Sequence, residues 1–253
     1  MVIYMNNITV PLILTTISGL STMLGSIIIF TSKKVNNTIL ISALSFAASI
    51  MLGVSITDLI PTGYSYLIKQ YSLIFIILLI LLGALFTYLI DQYIPESSDV
   101  TTNKKLYKIG LFSAIAICFH NIPEGIITFI SSYKDITLGI SLTIAIALHN
   151  IPEGISISLP IYYSTKSKIK ALLYTFISGI SEPIGGLLIY LIFRNYISDT
   201  ILNSILLFVG GMMSYISLIK LLPEAIKYKR YRIISISFVF GILLLLINHH
   251  YFG

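Results

Sequence analysis

The chain is built mainly of apolar runs that are about as long as a bilayer is thick. Eight such runs lie near residues 8–30, 39–60, 72–93, 108–131, 137–160, 171–193, 202–222 and 233–250. A helix needs about 20 apolar residues to cross the hydrocarbon core, and no run alternates apolar and polar residues as a barrel strand would. Only 10% of the residues are charged, against about 25% in a soluble domain. The sequence therefore predicts an all-α integral membrane protein, with residues 1–253 as a single domain of eight transmembrane helices.

The positions of the basic residues predict how the helices are oriented. Twelve of the sixteen lie in the connections after the first, third, fifth and seventh runs: Lys33, Lys34, Lys104, Lys105, Lys108, Lys166, Lys168, Lys170, Lys227, Lys229, Arg230 and Arg232. Basic connections face the cytoplasm, so both termini are expected to be extracellular. The net charge of +6 thus indicates topology in a lipid bilayer rather than binding of nucleic acid.

One seven-residue motif occurs twice within the apolar runs. HNIPEGI spans residues 120–126 in the fourth run and residues 149–155 in the fifth. Each copy lies about 18 Å along a helix from one end of its run, so both are expected near the bilayer midplane. In each copy the histidine and glutamate are one helical turn apart on one face, with the asparagine beside them. The candidate site residues are His120, Asn121, Glu124, His149, Asn150 and Glu153.

A third acidic residue follows in the sixth run, where residues 178–186 read SGISEPIGG and contain Glu182. Charged side chains at the bilayer centre cost about 2.5 to 3.5 kcal/mol each on insertion scales and are normally paired or functional. No lysine or arginine occurs between Lys108 and Lys134 or between Lys134 and Lys166. A bound cation is the simplest counter-charge. Imidazole, carboxylate and amide ligands suit Zn²⁺, Fe²⁺, Mn²⁺ or Cd²⁺.

Other interpretations of the same residues remain open. The histidines could hydrogen-bond carboxylates across the helix pair, and the asparagines could join helices, although two identical copies favour a functional site. An intramembrane metal-dependent hydrolase is an alternative from another class, because a metal held by histidine and glutamate can activate water. The chain contains neither HExxH nor Gly-x-Ser-x-Gly, the motifs that would support hydrolysis. A passive metal-selective channel would use similar ligands.

A second internal similarity relates the second run to the seventh. Residues 51–61, MLGVSITDLIP, align with residues 213–223, MSYISLIKLLP, and match at a methionine, a serine and the final proline. The two runs are expected to cross the membrane in opposite directions, as in an inverted repeat. With the fourth and fifth runs as a central pair, the chain is predicted to have a 3+2+3 arrangement.

On these motifs the chain resembles the ZIP (Zrt/Irt-like) family of divalent metal transporters, and within it the bacterial ZupT/GufA-like branch. The resemblance covers essentially the whole chain and includes the paired HNIPEG motifs, the SGxxEPxGG stretch and LLPEA at residues 221–225. It implies a two-metal site with both motif glutamates bridging. One ion would be held by His120, Glu124, His149 and Glu153, and its neighbour by Asn121, Glu124, Asn150, Glu153 and Glu182.

The resemblance also implies a transporter rather than an enzyme, with no prosthetic group. It would import Zn²⁺, and also Fe²⁺, Mn²⁺, Co²⁺ or Cd²⁺, across the cytoplasmic membrane. A homodimer is expected, in which the first, fourth, fifth and sixth helices of each chain slide against the others in an elevator-type motion. Met51, Ser55 and Asp58 are assigned to a possible pathway. Lys220 stands where relatives usually carry glutamate, and there it could repel a departing cation or pair with Glu224.

Overall fold

The computed structural model describes residues 8–31, 37–92, 102–193 and 198–252, and these form eight long helices. Each helix contains a segment long and apolar enough to cross a membrane, so the all-α class and the eight spans are confirmed. A short helical turn, Ile28–Thr31, follows the first helix. The helices are α1 Thr9–Ser26, α2 Asn37–Leu67, α3 Leu73–Gln92, α4 Thr102–Lys134, α5 Ile136–Thr165, α6 Lys168–Phe193, α7 Asp199–Lys227 and α8 Tyr231–Phe252.

Several helices are longer than the apolar runs that predict them. The α2 helix continues seven residues beyond the predicted residue 60 to Leu67, and α4 begins at Thr102 instead of residue 108. Helical hydrogen bonding does not stop where the sequence becomes polar, and local caps decide the end instead. Asp135 caps α5, since its Oδ1 accepts from the backbone N–H groups of Thr137 at 2.8 Å and Leu138 at 3.2 Å.

The helices pack in two groups. The first consists of α1, α4, α5 and α6, and each of these contacts the other three. In the second group α7 packs on α2 and α3, and α8 packs on α2. The groups meet mainly where α2 lies against α5, in an apolar cluster that includes Met51, Ile127, Ile146 and Leu206.

The α2 and α7 helices each contain one π-helical segment. These segments are Ser55–Leu59 and Ile216–Leu221, and a proline, Pro61 or Pro223, follows each of them in the second position of the next α-helical stretch. They fall within the two sequence segments that align with each other. The Ser217 hydroxyl donates to the carbonyl oxygen of Ala48 at 2.6 Å and so joins α7 to α2. The two aligned segments therefore share a local structure as well as a sequence pattern. Such π-helical turns are frequent at functional sites.

Lys220 does not form the ion pair with Glu224 that was one of the two possibilities raised by the sequence. Lys220 pairs with Asp91 on α3, whereas Glu224 pairs with Lys227 at 2.5 Å. Residues four apart face one another on an α-helix, but Lys220 lies in the π-helical segment, whose wider turn shifts this register. Lys227 follows Glu224 within regular helix. The positive charge of Lys220 is therefore offset by an acid of the second helix group.

Replacing Lys220 with alanine is expected to change the stability of the protein by less than about 1 kcal/mol, because partly exposed ion pairs contribute little. The Lys220 side chain is 42% exposed and that of Asp91 is 25% exposed. The measurement is the unfolding temperature in detergent at low and at high salt. Lys227→Ala is the matched control, because it also removes a lysine from an ion pair. A much larger loss for Lys220→Ala alone would show that this pair holds α3 to α7.

Candidate metal site

The two copies of the motif contact each other between α4 and α5. His149 Nε2 on α5 lies 3.1 Å from Glu124 Oε1 on α4. The His149 side chain is 0% exposed and that of Glu124 is 1% exposed. Pro123 and Pro152 lie inside helices that continue through them, as neighbouring helices allow in membrane proteins. The expected meeting of the two copies is therefore observed for His149 and Glu124.

The two asparagines connect the motif helices to their neighbours. Asn121 Nδ2 donates to the carbonyl oxygen of Ser178 on α6 at 3.0 Å. Asn150 Nδ2 donates to the carbonyl oxygen of Ser18 on α1 at 3.0 Å and also to Glu182 Oε1 on α6. The amide oxygens of both asparagines are buried and accept no hydrogen bond from a described residue. These oxygens are available as hard ligands.

Three carboxyl groups are buried on three helices of the first group, α4, α5 and α6. Glu124, Glu153 and Glu182 are at most 5% exposed, and Glu182 lies within electrostatic range of the other two. Several like charges in a dry interior require cations or protons to offset them. If these carboxyl groups are ionised, their charge therefore needs a counter-ion.

The described side chains do not form a closed metal centre by themselves. The side chain of His120 lies outside the described residues, and among the side chains that are described no three from His, Cys, Asp or Glu converge on a common point. Two contacts stand out instead, His149 with Glu124 and Asn150 with Glu182. Binding of an ion would replace or widen such contacts.

The possible pathway residues lie on α2, apart from these contacts. Met51 is buried in the apolar cluster between the helix groups, and the Ser55 hydroxyl donates to the Met51 carbonyl oxygen at 2.8 Å. Asp58 is partly exposed and accepts a hydrogen bond from the Thr57 hydroxyl. Their role in a pathway stays a prediction.

Sequence reasoning missed the contribution of α1. Residues 15–22 read TTISGLST, and residues 175–182 on α6 read TFISGISE, identical at five of eight positions. Ser18 and Ser178 occupy the same place in the two segments, and their carbonyl oxygens accept the equivalent hydrogen bonds from Asn150 and Asn121. This internal similarity was visible in the sequence and would have indicated that α1 lines the site.

Glycines bring the four helices of the first group into backbone contact. A Cβ atom at Gly125 would collide with the carbonyl oxygen of Glu182, and one at Gly154 would collide with that of Thr22. Gly19 and Gly179 face each other in the same way where α1 crosses α6. Small residues at helix contacts allow such close approach in membranes. The buried polar residues are therefore held by backbones whose spacing cannot easily change.

Comparison with known proteins identifies the family of the chain. The family described as ZIP Zinc transporter matches residues 95–249, which is more than half of the chain. Three relatives are each named zinc transporter ZupT. The relative from Clostridium perfringens is 36% identical, with 96% of each chain covered. The relative from Streptococcus mutans is 37% identical over 93% of this chain and 95% of its own, and that from Chlorobium phaeovibrioides is 38% identical over 96% and 98%. This multi-pass membrane protein therefore belongs to the ZIP zinc transporter family, a family of transporters and not of enzymes.

Proposed function

We propose that the protein imports Zn²⁺ across the cytoplasmic membrane through the buried polar cluster of α4, α5 and α6. The observation that carries the proposal is the set of buried carboxyl, imidazole and amide groups around Glu124, His149, Asn150 and Glu182. Nearly full-length relatives named as zinc transporters support Zn²⁺ as the cargo. Fe²⁺, Mn²⁺, Co²⁺ and Cd²⁺ are proposed as further substrates, because mixed nitrogen and oxygen ligands also bind them.

Two ions are proposed to bind side by side. The buried amide oxygens of Asn121 and Asn150, which accept no hydrogen bond within the described residues, support their role as ligands. A bridging role for Glu124 is supported by its contact with His149 of the other motif copy and by its electrostatic interaction with Glu182. The role of Glu153 as second bridge and the role of His120 rest on the repeated motif. The divalent ions would offset the charge of the three carboxylates.

Transport is proposed to proceed by an elevator-type motion of the first helix group against the second. The apolar cluster around Met51 and Ile146 supports this, since apolar contacts are not directional and can be exchanged during sliding. Polar links that cross the boundary include those of Lys134 with Asp199 and of Asn248 with the Ser141 carbonyl oxygen at 3.1 Å. These links would have to open in each cycle.

An inverted repeat in a 3+2+3 arrangement is part of the same proposal. It is supported by the paired π-helical segments in α2 and α7 and by the similar segments of α1 and α6. The charge distribution supports extracellular termini. A homodimer is proposed from the family resemblance.

Saturable Zn²⁺ uptake is expected in proteoliposomes that contain the purified full-length protein and an internal metal dye. Protein-free vesicles control for leakage, and accumulation against a Zn²⁺ gradient would distinguish a coupled carrier from a passive channel. If no Zn²⁺ enters while the protein binds it stoichiometrically, import is refuted and the metal has a structural or catalytic role.

A further inference from the structure

Ser18 lies at the candidate metal site although α1 carries neither copy of the motif. The residue is 0% exposed, and its carbonyl oxygen accepts a hydrogen bond from Asn150 Nδ2 at 3.0 Å. The same amide nitrogen donates to Glu182 Oε1. The backbone of Ser18 therefore helps to orient the asparagine that contacts the third carboxyl group.

The side chain of Ser18 faces the same carboxyl group. A Cβ atom built on the neighbouring Gly19 would lie only 3.1 Å from the Cβ atom of Glu182, so α1 and α6 are in close contact at this point. The Ser18 hydroxyl lies beside the Glu182 carboxyl group, but the hydroxyl oxygen has no hydrogen bond of good geometry to a described residue. A buried hydroxyl that is left without a hydrogen bond destabilises the folded protein. Asn150 uses both of its amide hydrogens on the Ser18 carbonyl and on Glu182, so Ser18 is placed to supply a further donor to the carboxylate.

The α6 helix offers an internal comparison. Ser178 occupies the same place as Ser18 in the similar segment, and its carbonyl oxygen accepts from Asn121 at 3.0 Å. Its hydroxyl, however, lies beside the Cys118 thiol. The position on α1 that matches Glu182 is Thr22, whose hydroxyl donates to the carbonyl oxygen of Gly19 at 2.8 Å.

We propose that Ser18 is a positioning residue for metal binding. Its hydroxyl donates a hydrogen bond to the ionised Glu182 carboxylate, and together with Asn150 it turns a carboxylate oxygen toward the ion. The inference rests on the proposed function, because it needs Glu182 to act as a metal ligand. It adds α1 to the helices that determine the affinity for the ion.

The test is the Zn²⁺ dissociation constant of the purified full-length protein, measured by titration calorimetry. It is compared between the wild type, Ser18→Ala and Ser178→Ala. Loss of an outer-shell partner typically lowers metal affinity by about 10–100-fold, and a loss in that range is expected for Ser18→Ala alone. Unchanged affinity in Ser18→Ala, or equal losses in both variants, would overturn the role of Ser18. If the wild type binds no Zn²⁺, the proposed function itself fails.

A double-mutant cycle with Glu182→Gln separates positioning from packing. If Ser18 acts through the carboxylate, Ser18→Ala is expected to have little further effect on the Zn²⁺ dissociation constant once Glu182 is glutamine. Independent effects would multiply, as they do for residues that do not interact, and that result would overturn the proposal.

Discussion

Zn²⁺ uptake is expected to fall to the level of protein-free vesicles when His149 and Glu153 are both replaced with alanine. The change removes an imidazole and a carboxylate from the buried cluster, and Glu124 loses its 3.1 Å contact with His149. Both altered side chains are at most 5% exposed, so bulk water has little access to replace the lost ligands. The measurement is the initial rate of dye response in proteoliposomes over a range of Zn²⁺ concentrations.

Asn203→Ala is the matched control for this double variant. Asn203 is also a buried polar residue of a membrane helix, but it lies on α7, where its Nδ2 donates to the Asp199 carbonyl oxygen at 2.7 Å. It is expected to retain saturable uptake. If the double variant, Glu124→Ala and Glu153→Ala all take up Zn²⁺ at the wild-type rate, the motif does not take part in transport.

The number of helices could be predicted from the sequence, but their ends could not. A bilayer imposes a minimum apolar length on each span, so the eight runs are evident in a simple reading of hydropathy. Outside the hydrocarbon the helix is ended by local groups such as Asp135, or continues into polar sequence as α2 does to Leu67. Hydropathy contains no information about these ends.

The candidate residues could also be predicted. A histidine, an amide and a carboxylate within a membrane-spanning helix raise its insertion free energy, so they are normally paired or functional. Their partners could not. The contact of Asn150 with Glu182 joins two helices, and the pair of Lys220 with Asp91 joins residues 129 positions apart. A local helical rule suggested Glu224 for Lys220, and the π-helical segment made that rule fail. Ser18 was overlooked because serine is common in membrane helices. Only the similarity between the segments around Ser18 and Ser178 indicates its place at the site.

Gly125→Ala is expected to lower both the thermal stability and the Zn²⁺ uptake of the protein. An added Cβ would lie 2.6 Å from the Cα atom of Glu182 and collide with its carbonyl group. Backbone cannot rotate away as a side chain can, so α4 and α6 must separate, at a cost of about 1–3 kcal/mol for overpacking. The same shift moves Glu182 away from Asn121 and Glu124 on α4. Thermal unfolding in detergent, with and without Zn²⁺, measures stability and binding together, because a ligand that binds only the folded state raises its stability.

Gly53→Ala provides the control for the added methyl group. There the new Cβ would meet only the end of the Leu245 side chain, which can adopt another rotamer, so a small change in unfolding temperature and an unchanged Zn²⁺ effect are expected. The two variants therefore differ in whether the obstacle is backbone at the site or a flexible side chain elsewhere. If Gly125→Ala unfolds at the same temperature as Gly53→Ala and keeps the full stabilisation by Zn²⁺, then close contact of α4 with α6 is not required to hold Glu182 in the site.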